Sequence, residues 1–120
     1  MTVNLEKVMK KILDFRDKRE WQQFHDPKNL AEAIAIECAE LQEVFLWSNV
    51  EEAKKIAVEK KKKISEELAD IFIFCLLFAH ETGIDIEKAM LEKIDLNGKK
   101  YPLEKSKGSS KKYNEYKETE

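Results

Sequence analysis

The sequence predicts an all-α chain, a four-helix-bundle subunit that associates with copies of itself. Three observations carry this. Charged residues make up 38 % and hydrophobic residues 42 % of 120 residues, with three glycines and two prolines, a balance that favours long helices over turns and strands. Apolar residues recur three and four apart over most of the chain. Helix-start and helix-stop signals punctuate that pattern in order, at Asp26-Pro27, Ser48-Asn49, Gly83, Asp85 and Pro102.

The first helix is expected from an N-cap at Thr2 to about Arg19, since Leu5, Val8, Met9, Ile12, Leu13 and Phe15 recur at helical spacing. The stretch "REWQQFHDPKN" then breaks the pattern. Pro27 fits the first position of a second helix running to about Trp47. Ser48 or Asn49 can cap a third helix, which begins polar in "VEEAKKIAVEKKKK", turns wholly apolar by Ile71 and ends at Gly83. A buried strand is the alternative for "IFIFCLLF", but its flanks "SEELAD" and "AHETG" favour helix. Asp85 caps a fourth helix that must end before Pro102. Residues 1–101 therefore read as one helical domain and residues 102–120 as a basic, flexible tail.

The net charge of −2 gives no global attraction to nucleic acid or to an anionic membrane. The longest apolar run, Ile71 to Ala79, is far short of the roughly 20 residues that span a bilayer. Cys38 and Cys75 sit in apolar helical context without a CxxC spacing, which reads as two buried thiols of a reducing cytoplasm.

The chemistry lies in the carboxylates. In "NLAEAIAIECAELQEVFLW", Leu30, Ile34, Leu41 and Phe45 share one arc at 100° per residue, and Glu37 falls inside that stripe with Glu40 at its edge. In "EELADIFIF", Glu67 and Asp70 share a face with Ile71, Phe74 and Phe78, while Glu66 points away. Ile71 to Ala79 is apolar all round and is expected to be buried on every side. Glu81 returns to the carboxylate face further along and is a weaker candidate.

A helical glutamate is ordinarily solvated, and either pair alone would be read that way. Two pairs on core-facing stripes would repel one another and lose hydration. Protonation would relieve this, and a bound cation does so more simply. An all-oxygen donor set favours Mg²⁺, or Mn²⁺, over zinc. A di-iron bundle would need Glu-x-x-His, and neither His25 nor His80 follows a glutamate by three. The "HD" at His25-Asp26 lacks the earlier histidine that HD-type phosphohydrolases use, so His25 reads as a loop or interface residue. Mg²⁺ on carboxylates keeps positions open for water and substrate phosphates.

Glu37-x-x-Glu40 followed by Glu67-x-x-Asp70 resembles the metal motif of the all-α nucleoside triphosphate pyrophosphohydrolases, the MazG-like group. "FRDKREWQQFHDPKNLA", "ECAELQEVFLW", "EELADIFIF" and "KIDLNGKKYPLEKSKGSSKKY" together are similar to its dCTP pyrophosphatase branch over Phe15 to Tyr113. The resemblance implies Mg²⁺-dependent hydrolysis of a nucleoside triphosphate between the α and β phosphates, to a nucleoside monophosphate and pyrophosphate. It implies a helical dimer or a tetramer of two dimers. It makes Glu37, Glu40, Glu67 and Asp70 the metal ligands and catalytic residues. Trp21 and Trp47 become aromatic elements of a base pocket, and Lys93, Asn97 and Tyr101 face sugar and phosphates.

The residues bear partly on these roles. Lys93, Asn97 and Tyr101 are spaced i, i+4, i+8 on one helix face, although Tyr101 could merely pack and Lys93 be solvated. The tryptophans suit a planar base and equally suit a core or an interface. The branch carries a tyrosine where this chain has Phe74. The lost hydroxyl leaves the preference for dCTP open, and with it a broader MazG-like hydrolase of non-standard nucleotides. A non-catalytic helical oligomerisation module is the alternative of another class.

Between Lys99 and Lys112 there are six lysines and one glutamate, +5 in all, and "KGSSKK" adds hydroxyls and backbone N–H donors that could close over a triphosphate. "KKKK" at Lys60 to Lys63 reads as a solvated face.

Overall fold

In a computed structural model, residues 2–116 are described. The chain divides into two compact units, Met1–Ile84 and Asp85–Glu120. The first holds α1 (Leu5–Lys18), a 3₁₀ turn (Trp21–Phe24), α2 (Pro27–Glu43), α3 (Val50–Glu59) and α4 (Lys61–Thr82). The second holds α5 (Ile86–Lys100), α6 (Leu103–Ser106) and a 3₁₀ turn (Tyr113–Glu115). No strand occurs among the described residues, so the all-α class stands.

Within the first unit, α4 is the central element: α2 packs along it, and α1 and α3 also lie against it. Among the described residues Ile12, Leu30, Leu76, Leu77 and Ala79 are the buried apolar residues, Leu30 fully so. Each helix start follows from a capping side chain. Asn4 Oδ1 accepts from the Lys7 N–H at 3.0 Å, so α1 is capped at Asn4, two residues later than the expected Thr2. Asp26 Oδ1 accepts from the Asn29 N–H at 2.8 Å with Pro27 at the first helical position, and Asn49 Oδ1 accepts from the Glu52 N–H at 2.8 Å. Gly83, at φ +70°, ends α4, and the Ile84 N–H returns to the Ala79 carbonyl at 2.9 Å. That pairing is the C-terminal motif glycine permits at positive φ.

Four expectations need correction. The third helix is two helices. Lys60 leaves helical geometry at ψ 27°, and α3, with Ala53 and Ile56 half-buried, lies against α4. No glycine or proline marks it; packing decides. The second helix ends at Glu43, and residues 44–47 form a turn. The run Ile71 to Ala79 is not buried on every side, because Phe72 is 61 % exposed. Cys38 is exposed and Cys75 half-buried, both as free thiols. The tail also carries more local structure than expected: Tyr113 and Tyr116 stand edge-on to Tyr101, with centroids 6.1 and 6.0 Å away.

Asp26→Ala should destabilise the chain by about 1 kcal/mol, since it removes the cap of α2 and the Oδ2 that anchors the Asn29 amide at 2.9 Å. Urea unfolding checks this; Asp26→Asn should retain most of the stability, and an unshifted midpoint in Asp26→Ala would show that the cap is not stabilising.

Candidate metal centre and adjoining cavity

The contact of α2 with α4 sets the carboxylates facing one another. Glu37 rides with the apolar stripe of α2, and Glu67 and Asp70 sit one turn apart on α4, where Glu67 is only 5 % exposed. One oxygen from each of Glu37, Glu67 and Asp70 lies within 4.8 Å of the others. Glu37 Oε2 and Glu67 Oε2 are buried and have no hydrogen-bond partner.

The electrostatics follow from this crowding. Burial pushes the Glu37 carboxyl up to about 7, and a hydrogen bond shared with Glu40 and the charges of Glu40, Asp70 and Glu67 add to the shift. Glu67 moves the other way, below its usual value, chiefly because the Lys63 ammonium is 2.8 Å from its Oε1. One carboxyl thus tends to hold a proton and another holds a lysine. Two buried, unpartnered oxygens of Glu37 and Glu67 beside the exposed Asp70 carboxylate make an all-oxygen donor set that fits a hard divalent cation. The cluster joins three of the four acids that the sequence set in pairs, and Glu40, exposed, lies beside Glu37.

The cluster lies between two concavities. One, of about 580 Å³, is lined by Trp21, Phe74, Ile12, Phe15, Ile73 and Leu77 among others, with Glu37 and Asp70 at its charged side. The other, of about 430 Å³, is polar and lined by Glu40, Glu43, Val44, Lys60, Lys63 and Glu67. Trp21 is fixed by an edge-on contact with Phe15 at 5.7 Å, and the Arg19 guanidinium covers the Phe15 ring at 3.6 Å.

The remaining sites fall out unevenly. Trp21 and Phe74 share the larger cavity, but Trp47 does not: it stands at φ +66° after α2 with 93 % of its surface exposed. Lys93, Asn97 and Tyr101 belong to the second unit, where the Tyr101 N–H closes on the Asn97 carbonyl at 2.8 Å and its ring packs in the tyrosine cluster. Glu81 is not part of the acid cluster. It accepts from Arg16 Nη1 at 2.7 Å.

The sequence analysis does not single out Arg16, and it reads His25 as a loop or interface residue and Lys63 as part of a solvated face. Arg16 is 4 % exposed and lines the larger cavity with His25. Its position one turn after Ile12, on the apolar stripe of α1, was a readable signal. Lys63, taken as part of a solvated face, is paired with Glu67; the i, i+4 spacing announced it.

The MazG-like family profile matches residues 32–116. The chain is 35 % identical to dCTP pyrophosphatase 1 of Rattus norvegicus over 111 residues, which is 91 % of this chain and 65 % of that protein. It is 37 % identical to the Bos taurus protein of the same name over 91 % of this chain and 66 % of that protein. The chain therefore spans just under two thirds of the length of these curated relatives. A crystal structure of a pyrophosphatase from Archaeoglobus fulgidus superposes with a TM-score of 0.81 at 35 % identity, over 85 % of this chain and 95 % of that one. With the paired acidic helices and the profile match falling on the same residues, this chain belongs to the MazG-like family.

Proposed function

We propose that the protein is a Mg²⁺-dependent nucleoside triphosphate pyrophosphohydrolase that takes dCTP or a related pyrimidine deoxynucleotide, with Mn²⁺ as an alternative cation. The observation that carries this reading is the acid cluster set between an aromatic cavity and a lysine-bearing polar one. That order matches a ligand with a flat apolar end, a charged centre and a polyanionic end. The curated relatives named dCTP pyrophosphatase support the choice of nucleotide.

In this reading Glu37, Glu40, Glu67 and Asp70 hold the cation, which when bound offsets phosphate charge and lowers the pKa of a water. Trp21 and Phe74 take the base by face and edge contact. Lys93, Asn97 and Tyr101 serve sugar and phosphates, and the basic tail beyond Tyr101 closes over the polyphosphate. The carboxylate cluster orients a water for attack on the α-phosphorus. A new P–O bond forms to the water oxygen, the bond from that phosphorus to the α–β bridging oxygen breaks, and pyrophosphate leaves.

The protein works as a homo-oligomer. Ile36, Leu68 and Phe72 of α2 and α4 are 59, 45 and 61 % exposed, and Leu46 and Trp47 are 59 and 93 % exposed. A second copy would cover such surface, and Trp47 would reach a base only across that contact. No helix among the described residues is long and apolar enough to cross a membrane, consistent with action in the cytoplasm. The second reading, a broader hydrolase of modified nucleotides, is favoured by Phe74, whose ring offers the cavity no hydrogen bond.

A panel of triphosphates with Mg²⁺ should yield monophosphate plus pyrophosphate. Orthophosphate as the product would point to a phosphatase, and no turnover to a non-catalytic module. Sedimentation at micromolar concentration should show a dimer or tetramer; a lone 14.1 kDa species would remove the oligomer.

Glu37→Gln separates a metal ligand from a structural glutamate. The folded-state pKa of Glu37, about 7, lies above its ordinary 4.5, so the folded chain binds that proton more tightly than the unfolded one. Without divalent cation, the Glu37 contribution to stability is therefore lost as pH rises from 4.5 through 7. Glutamine does not ionise, so in EDTA the variant should melt above the native protein at pH 8, by a margin that shrinks toward pH 5. With Mg²⁺ it should lose on the order of 10–100-fold or more in affinity and turnover. Lower stability at every pH with Mg²⁺-dependent turnover intact is the result a purely structural glutamate would give.

A further inference from the structure

The larger cavity has a polar end that the acid cluster does not explain. Arg16 is 4 % exposed on the wall of a mostly apolar and aromatic space whose other charged or titratable lining residues are Lys11, His25, Glu37 and Asp70. Its guanidinium is held from two helices: Nε donates to Asp17 Oδ1 at 2.9 Å and Nη1 to Glu81 Oε1 at 2.7 Å, across 65 residues of sequence. Nη2 makes no hydrogen bond among the described residues. On the same cavity, His25 Nδ1 is buried and also has no partner. Burial and the Arg16 charge hold the imidazole below its ordinary 6.5, against the opposing pull of Glu81, so the ring is neutral near pH 7.

The fold alone does not call for this arrangement. A buried ion pair is at best about as stabilising as an apolar pair of similar volume. A donor-rich group fixed in plane and left partly unpartnered is the arrangement of a recognition site. Phe74 offers this cavity no hydrogen bond, and Glu37 and Asp70 stand at the acid cluster. Trp21 offers a single indole N–H and Lys11 an ammonium on a flexible stem, so the paired donors fixed in one plane are at Arg16.

We propose that Arg16, clamped by Glu81 and Asp17, is the specificity-determining residue of the cavity, reading with His25 a base edge that presents two adjacent acceptors, as O2 and N3 of cytosine do. Uracil and thymine place an N3–H between their carbonyls, and that hydrogen opposes a pair of donors. Adenine sets an amino donor beside N1. Guanine has adjacent acceptors at O6 and N7 but needs room for a second ring. Arg16 thus supplies the discrimination that a hydroxyl at position 74 would otherwise lend. The inference rests on the reading of this cavity as the base site.

The test is calorimetric binding of dCMP, dUMP and dGMP, with and without Mg²⁺, to the full chain. These monophosphates report on the base without requiring turnover. The native protein should bind dCMP about 10-fold or more tighter than dUMP, the size expected of a two-donor contact. Arg16→Lys, which keeps the charge but loses the planar fork, should bring that ratio close to one. The paired variant Arg16→Met with Glu81→Leu keeps an apolar wall of similar volume and removes the ion pair whole, so it serves where the lysine variant does not fold; it should lose the ratio as well. A native protein without preference for dCMP, or a folded variant with the native ratio, overturns the proposal. Failure of the native protein to hydrolyse any triphosphate, with the dCMP preference intact and dependent on Arg16, would sink the hydrolase reading and leave this one standing.

Discussion

The constraint on which the rest depends is that α2 and α4 pack with like charges between them. Packing Glu37 against Glu67 and Asp70 costs hydration and sets carboxylates in mutual repulsion. The chain meets this cost locally: Glu37 retains a proton to unusually high pH, and Lys63 pairs with Glu67. Neither device satisfies the two buried Oε2 atoms. A divalent cation would answer both the charge and the missing coordination, so the cost of the empty cluster and the proposed cation binding would have one origin.

The helix break at Lys60 acts on the same centre. Because α4 starts at Lys61, its first turns bring Lys63 onto Glu67 and place Lys60 and Lys63 around a polar concavity with Glu40 and Glu43. On the opposite side of the carboxylates, α1 and the 3₁₀ turn after it supply Ile12, Phe15, Arg16 and Trp21 to the aromatic cavity. The carboxylates thus border two different concavities, a mostly aromatic one that Glu37 and Asp70 line and a polar, lysine-bearing one that Glu40 and Glu67 line.

A single chain hides little of its own apolar surface. Among the described residues Ile12, Leu30, Leu76, Leu77 and Ala79 form the buried apolar core, while Ile36 and Phe72 on the two helices that carry the carboxylates stay mostly exposed. Helices that bear the carboxylates on one face and uncovered hydrocarbon on another have two packing demands, and the single chain meets only the first. The same helices would then serve both site and assembly, which couples the geometry of the acid cluster to association.

The sequence by itself determined what short-range physics dictates. Helix starts were legible at Asp26 and Asp85, and to within one residue at Ser48-Asn49, because a capping side chain acts within three residues. The end at Gly83 was legible because positive φ favours glycine. Helical periodicity is local and set both carboxylate pairs on inward stripes, but only Glu67 is buried and Glu37 half-buried, while Glu40 and Asp70 are exposed. The tertiary structure alone decided what depends on distant partners. The break at Lys60 carries no glycine or proline and exists because α3 packs back toward α4. Glu81 reads in sequence as a stray member of the carboxylate face, yet its partner is Arg16, 65 residues away. Trp21 and Trp47 look alike in sequence, but only Trp21 lines the cavity, since Phe15 is there to hold it while Trp47 projects from a turn. Periodicity assigns a residue to a face; what that face meets is fixed only when the helices pack.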